Sequence, residues 1–520
     1  MNVLFSCGNA PGLPTGYGGQ GLLALQALQK LGAHVSVLAW NLSPSVFKPF
    51  ERYTTDDVVR MQSNMKTIFD TAGSETVNWA DVRWFCNPYT QFPTPIRKQD
   101  LNRMIASVDA DLFLSLQDIF MFQPGAFLCL SAVWMPLHFL PVEHPTVLSL
   151  ADFDMQLPIS GWGSMLLQPL HDKIRQGTPC MRHIEVLPHG RDISIYKPPC
   201  ADMDAALAAR MATRQRWNWP KDAFVVFMIA SNSEESGRKA FDAQFQGYRK
   251  FADEAERQGK QVWLHVHSET ARAYDLGRLL ETFGCYSGRS AFIDFTDQRA
   301  RTHRDAVIVG HNCSVSHASD LLQVKEAELV SMYHASDVLL AATCSEGCGV
   351  PVLEAQLCGT PVVTTRATAM WEETMFGIAV RPRQWIARMD FNSGWYLPDS
   401  EGIGDALSEI LTWSAEHKRD LFNSAYPKLV KEYGNETVIR RFQEILSKVD
   451  DWTFSMETLH SANRNLDLDE ERKMQLATAV KCRKLWKQLM QLEEDLTQEC
   501  VREMKLAKET SAIQYLKTLV

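Results

Sequence analysis

The sequence predicts an α/β protein of two doubly wound domains that face a central cleft, followed by a helical C-terminal extension. Three observations carry this prediction. Short β-rich runs alternate with helical periods along most of the chain, the pattern of parallel sheets covered by helices. The chain has 520 residues, too many for one hydrophobic core. Its composition breaks at Lys197-Pro-Pro-Cys-Ala-Asp-Met-Asp, after which a helical stretch leads into a new strand. The expected division is a domain of residues 1–197, a second of residues 198–450 and an extension of residues 451–520.

In the first domain, strands are expected at Val3 to Cys7, Val35 to Trp40, Leu112 to Leu116, Ala132 to Leu137, Thr146 to Leu150 and Ile184 to Leu187. Between the first two lies a glycine loop, Pro11-Gly-Leu-Pro-Thr-Gly16-Tyr-Gly18-Gly19-Gln-Gly21, ahead of an apolar helix. It matches a dinucleotide fingerprint only loosely. The second strand ends Leu38-Ala-Trp40-Asn41, without the acidic residue that a nicotinamide ribose needs. The second domain opens with Phe224 to Ala230 and continues through Gln261 to His267, Ala306 to Val309, Val338 to Ala342 and Pro361 to Thr365. Two such sheets place their strand carboxyl ends, and any ligand, at the cleft between them. In the extension, Leu485, Leu489, Leu492 and Leu496 form a stripe too short to demand a coiled coil, and these helices are expected to pack back on the body.

Composition excludes several classes. Hydrophobic residues make up 45% and the formal net charge is −9, which argues against broad nucleic-acid binding while leaving room for a local basic cleft. The 12 cysteines show no regular framework, and the chain opens on a strand rather than a basic and apolar leader, so a reducing, cytoplasmic setting is expected. No stretch approaches the ~18 apolar residues of a membrane span, though peripheral contact stays open. His265 and His267 alternate on one strand face, and Cys344 and Cys348 straddle Glu346. Neither pair has further ligands at a convincing spacing, so no metal site is expected.

The most informative segment is Glu346-Gly-Cys-Gly-Val-Pro-Val-Leu-Glu354-Ala-Gln-Leu-Cys-Gly359-Thr-Pro361-Val-Val. Gly347 and Gly349 suit a tight turn, and Pro351 suits the first turn of a helix continued by Val352 to Leu357. The amides from Gly347 through Cys348 and Gly349 to Val350 then form a natural cradle for a diphosphate. Glu346 stands just before the helix and Glu354 about a turn inside it. A carboxylate can accept both hydroxyls of a ribose, a role that suits Glu354 and leaves Glu346 facing a sugar.

This segment resembles the E-x7-E signature of retaining GT-B glycosyltransferases, the large family that includes sucrose, mannosyl and capsule-sugar transferases. Glu328-Leu-Val-Ser-Met-Tyr333-His-Ala-Ser-Asp337-Val-Leu-Leu resembles the helix and strand that precede the signature, and Val186-Leu-Pro188-His189-Gly190-Arg191-Asp192 through Pro198 resembles the boundary motif P-N-G-V-D. His189 and Arg191 stand where that motif carries Asn and Val. The segment reads as structural, with Gly190 turning the chain and Asp192 capping it.

The resemblance implies a GT-B fold of two Rossmann-like domains. It also implies transfer of a sugar from a nucleotide diphosphate donor to an acceptor hydroxyl on a glycan, lipid or other molecule, with retention and without a metal cofactor. Gly18 and Gly19 are the implied glycine-loop contacts to the donor, and His138, at the end of its strand, reaches the donor sugar, with Asp118, Glu143 and His144 as rival polar groups. The family places an arginine several residues ahead of a lysine after the first strand of the second domain. Here Glu234 and Glu235 occupy that stretch and Arg238 adjoins Lys239, so Lys239, with Arg238 beside it, is left to neutralise the leaving diphosphate. A phosphorylase on the same fold, or a catalytically silent sugar-nucleotide scaffold, are the alternative readings.

Overall fold

The computed structural model describes residues 1–461 other than 14, 41, 43–44, 72–75, 87–94, 119–120, 124–126, 128, 139–149, 151–152, 176–182, 233–236, 270–272, 286–307, 310–312, 318–325 and 389–392. Two large sheets organise these residues. The first runs β3-β4-β2-β1-β5-β6-β7-β8, with β1 Asn2–Cys7, β2 His34–Ala39, β3 Tyr53–Thr54, β4 Arg83–Cys86, β5 Leu112–Leu116, β6 Leu130–Met135, β7 Met155–Pro158 and β8 His183–Ile184. All its pairs are parallel except β3 with β4. The second runs β11-β12-β10-β9-β13-β14-β15, with β9 Phe224–Ile229, β10 Val262–Ser268, β11 Ile308–Val309, β12 Cys313–His317, β13 Val338–Ala341, β14 Val362–Thr365 and β15 Gly377–Val380. It is parallel except at β11 with β12. The central strands of both sheets, β1, β5, β9 and β13, are Val-, Leu- and Phe-rich runs buried on both faces, as strands sandwiched between helix layers must be.

Several strand expectations need correcting. The strand after β6 is Met155–Pro158, whereas residues 146–149 of the expected Thr146 to Leu150 strand lie outside the described residues. Its core position was masked by a polar residue: Gln156 is buried because its amide donates to the Leu150 carbonyl at 2.9 Å. The strand expected at Ile184 to Leu187 is the two-residue β8, and Ile308–Val309 of the expected Ala306 to Val309 run is antiparallel to β12. A separate hairpin, β16 Gln384–Arg388 with β17 Ser393–Leu397, packs Trp395, Ile386 and Leu397 on Ala240, Ala243 and Cys344. His265 and His267 are fully buried on β10 beside the rings of Trp217, at 5.6 and 6.4 Å. Burial pushes both imidazoles down, His267 to about 4.

The closing helix changes the domain boundary. Asn435–Ser461 leaves the second domain and returns to the first, where Val438, Ile439, Phe442, Ile445 and Leu446 join the core formed by β1, β2 and the helix Gly16–Lys30. Phe442 meets Trp134 edge-on at 5.6 Å. Each such apolar side chain contributes roughly 1.5–3 kcal/mol by burial, so this helix is a strut of the first domain rather than the end of a unit spanning 198–450. The crossing point is pinned where Arg191 N–H donates to the Tyr433 carbonyl at 2.7 Å and Asn435 N–H to the Arg191 carbonyl at 2.9 Å. The expected leucine stripe from Leu485 to Leu496 lies outside the described residues. Among the described residues no helix is long and apolar enough to cross a membrane.

Candidate active site

The loop that leaves β13 carries Ser345 and Glu346 to the carboxyl end of the second sheet. Arg238 Nη1 lies 2.7 Å from Glu346 Oε2 and Lys239 Nζ 2.6 Å from Glu346 Oε1, so each carboxylate oxygen has its own cation. Arg238 Nη1 also donates to the Ser345 carbonyl at 2.9 Å. All three side chains are largely buried. Burial pushes the Glu346 carboxyl up, but Arg238 and Lys239 outweigh it, with a smaller pull from His138, and hold it at about 2.

Sequence reasoning expected adjacent basic side chains to diverge unless a helix began between them. The helix Phe241–Arg257 begins after both, and they converge because the preceding turn is irregular: Gly237 has φ +77 and Ala240 φ +47. The Cys344 N–H donates to the Arg238 carbonyl at 2.9 Å and fixes this turn against the Glu346 loop. Glu234 and Glu235 lie outside the described residues.

Gly347 and Gly349 do not adopt positive φ, so the tight-turn argument for them is corrected to one of space. A Cβ on Gly347 would stand 2.6 Å from Pro136 Cβ, in the segment that follows β6 of the first domain. Two residues earlier, the Ser345 hydroxyl donates to the His138 carbonyl, so this loop touches the first domain twice. Gly349 caps the helix Val350–Leu357, which carries Pro351 in its first turn. The Gly349 N–H, expected to be open to a phosphate, donates at 2.8 Å to Glu373 Oε2, whose carboxyl is buried and pushed up to about 7. Cys348 sits beside it, its thiol raised by burial and by Glu373.

Glu354 lies on the inner side of that helix and is 6% exposed. The Tyr333 hydroxyl donates to Oε2 at 2.9 Å, and Arg191 Nε stands 3.2 Å from Oε1, an ion pair without hydrogen-bond alignment. Burial raises the Glu354 carboxyl, and Arg191, Tyr333 and Tyr196 oppose it. Arg191 is thus explained: its guanidinium is buried against the Glu354 carboxylate. His189, also buried, meets Trp134 edge-on at 5.3 Å, and burial pushes its imidazole down to about 3.

In the first domain Gly18 and Gly19 are not in a loop. The helix starts at Gly16, the Thr15 side chain accepts from Gly18 N–H at 3.0 Å, and its carbonyl accepts from Gly19 N–H at 2.9 Å. Facing the cleft beside them, the Tyr17 hydroxyl donates to Asp118 Oδ2 at 2.9 Å. Burial and then Asp118 push this phenol far up, while Arg238 of the second domain pulls the other way. Glu143 and His144 lie outside the described residues.

The structure therefore gathers Glu346, Arg238, Lys239 and the His138 backbone at one point, with Gly347, Cys348, Gly349 and Val350 adjoining, and sets Glu354 apart in a buried network. Sequence reasoning missed Tyr17, Arg191 as a partner of Glu354, Thr368, Glu372 and Glu373. Thr368 carried no local signal: it adopts φ +56 and accepts from Glu346 N–H at 3.1 Å. Among the described residues no group of three or more His, Cys, Asp or Glu side chains is arranged to hold a metal ion.

Residues 299–411 match the protein family described as Glycosyl transferases group 1. No curated protein sequence matches the chain. Among solved structures, it is similar to alpha,alpha-trehalose 6-phosphate synthase from Burkholderia multivorans (TM-score 0.58, 13% identity, covering 89% of this chain and 99% of that one). It is also similar to an E. coli structure titled trehalose-6-phosphate bound with UDP-2-fluoro glucose (TM-score 0.56, 13% identity, 86% and 99%). A third is sucrose-phosphate synthase from Thermosynechococcus elongatus (TM-score 0.54, 14% identity, 87% and 99%). The chain thus has the GT-B fold of two Rossmann-like domains, and residues 299–411, which match the glycosyl transferases group 1 family, include its Glu346 loop.

Proposed function

We propose that this protein is a retaining glycosyltransferase that moves a sugar from a nucleotide diphosphate sugar to an acceptor hydroxyl without a metal cofactor. The observation that carries the reading is the convergence of Arg238 and Lys239 on Glu346, at the mouth of the loop that becomes the helix Val350–Leu357. Two cations beside a helix start suit a diphosphate, whose charge grows as it departs. The match over residues 299–411 supports it, as does the UDP-2-fluoro glucose bound in the similar E. coli structure.

In this reading the bond from the anomeric carbon to the diphosphate oxygen breaks. The bond to the acceptor oxygen forms on the same face, and the acceptor proton passes to the departing phosphate oxygen. Lys239 and Arg238 stabilise the leaving charge, Glu346 and His138 position the sugar, Glu354 holds the ribose, and the chain contributes orientation rather than a covalent nucleophile. The acceptor belongs at the first domain's strand ends, and cytoplasmic carbohydrate synthesis is the setting this chemistry suits.

One observation favours a second reading, a silent sugar-nucleotide binder: the ribose carboxylate Glu354 is buried and already paired with Arg191 and Tyr333. A panel of UDP-, GDP- and ADP-sugars separates the two. The transferase reading expects thermal stabilisation by one donor and slow release of its nucleoside diphosphate. Stabilisation with no release favours the silent binder, release only with inorganic phosphate makes it a phosphorylase, and no stabilisation by any nucleotide sugar overturns both donor readings.

A further inference from the structure

Glu372 joins the two domains. Its Oε2 accepts from Gly161 N–H at 3.1 Å and its Oε1 from Trp162 N–H at 3.0 Å, the first amides of the helix Gly161–Arg175 that follows β7. The Ser160 side chain contributes a further hydrogen bond. A carboxylate that spends both oxygens on the start of a helix is well matched to the helix dipole and to its open donors. The fit depends on a missing side chain: a Cβ at Gly161 would stand 2.7 Å from Glu372 Oε2.

The segment that carries Glu372 is bound to the catalytic loop at both of its ends. At its start the Thr368 hydroxyl accepts from Glu346 N–H at 3.1 Å, and Ala369 N–H donates to the Glu346 carbonyl at 3.3 Å. At its end Glu373 accepts from Gly349 N–H at 2.8 Å. Between them Thr343 Oγ1 and Met370 Sδ lie 3.4 Å apart. The helix Ala369–Glu373 and the loop Thr343 to Gly349 therefore move as one piece, and whatever holds Glu372 also holds Glu346. The other contacts of that loop with the first domain, Ser345 with the His138 carbonyl and Gly347 with Pro136, lie on the segment that follows β6, the strand next to β7 in the same sheet.

We infer that Glu372 is a positioning residue: by gripping the helix start at Gly161 and Trp162 it latches the second domain onto the first and sets the separation between His138 and the Glu346, Arg238 and Lys239 cluster. It touches neither donor nor acceptor in this scheme. It acts through domain closure, and its role in turnover rests on the transferase reading, whereas the latch itself does not.

The test uses the full-length chain and a variant on each side of the contact. Glu372→Ala removes both acceptors, Glu372→Gln keeps one, and Gly161→Ala forces the carboxylate off its amides from the opposite domain. Small-angle scattering should give a larger radius of gyration for Glu372→Ala and Gly161→Ala, a smaller increase for Glu372→Gln, and no further increase in the Glu372→Ala, Gly161→Ala double variant, because both substitutions break one contact. Scattering needs no turnover, so failure of the transferase reading leaves this measurement decisive. Where the nucleotide-sugar panel yields a donor, the latch variants should lose kcat on the order of tenfold with the donor KM little changed, since in the proposed reading the second domain holds the nucleotide and diphosphate and only His138 reaches the sugar from the first. Unchanged scattering in both single variants, or openings that simply add in the double variant, would overturn the inference. So would a loss confined to KM.

Discussion

Replacing Glu373 by Gln should flatten the pH dependence of stability. The Glu373 carboxyl is 1% exposed, so its charged form is poorly solvated. It receives the Gly349 N–H and the Cys348 thiol, and the neighbouring carboxylates Glu372 and Glu346 disfavour a further negative charge. Tyr433 also faces it, and its phenol is itself raised chiefly by burial, with Glu373 adding to the shift. Burial dominates, and the carboxyl rises from 4.5 to about 7.

A group whose folded pKa is raised holds its proton more tightly in the native state. Its contribution to stability is full below the unfolded value and is lost as pH rises through the folded one. At 1.36 kcal/mol per unit, the loss between about pH 5 and pH 8 comes to about 3 kcal/mol. Gln has no proton to lose, and its amide oxygen can still accept from Gly349 N–H. Urea midpoints of the second domain, followed by tryptophan fluorescence across that range, should therefore fall less with pH in Glu373→Gln than in the wild type. The comparison is of midpoints at matched slope, because two domains need not unfold in one step. Parallel pH profiles for the two proteins would refute the reasoning and leave Glu373 an ordinary ionised capping residue.

Two further outcomes follow from the Glu346 cluster. Arg238→Ala and Lys239→Ala should each lower kcat on the order of a hundredfold, with the double variant less than additive because both cations serve one anionic centre; wild-type kinetics from Arg238→Ala would remove it from the site. In the proposed reading Arg238 and Lys239 neutralise the leaving diphosphate in place of a divalent ion, so excess EDTA should leave turnover largely intact; complete loss, restored by manganese or magnesium, would contradict the metal-independent reading.

The sheets were legible where apolar residues dominate a short strand. Leu112 to Leu116 was read to the residue, and β1 differs from its expectation by Asn2 alone. β7 was missed because Gln156 interrupts it, and β4, Arg83–Cys86, because four residues give no room for a pattern. The Glu346 to Gly349 loop was legible because its chemistry is contiguous. Its supports were not, since each arrives from far along the chain: Lys239 lies 107 residues from Glu346, and Glu373 lies 24 residues from Gly349. Spacing carries no information about such pairs. What decided them was burial, which obliges every charge in the cleft wall to find a partner.

Glu346 and Glu354 solve that obligation in opposite ways. Glu346 is held at about 2 by two cations, so it stays an anion and keeps Arg238 and Lys239 aimed at the loop. Glu354 sits deeper, its carboxyl raised by burial, with Arg191 as the one cation among the groups that oppose that rise. Removing one partner of such a buried pair typically costs about 3–5 kcal/mol, because the other charge is stranded. Arg191 and Glu354 therefore form one unit, in which the arginine compensates the burial of the glutamate. That pairing also couples two parts of the chain. Arg191 belongs to the segment whose backbone meets Tyr433 and Asn435, where the chain returns to the first domain, so the buried pair ties the helix Val350–Leu357 to the crossing point between the domains.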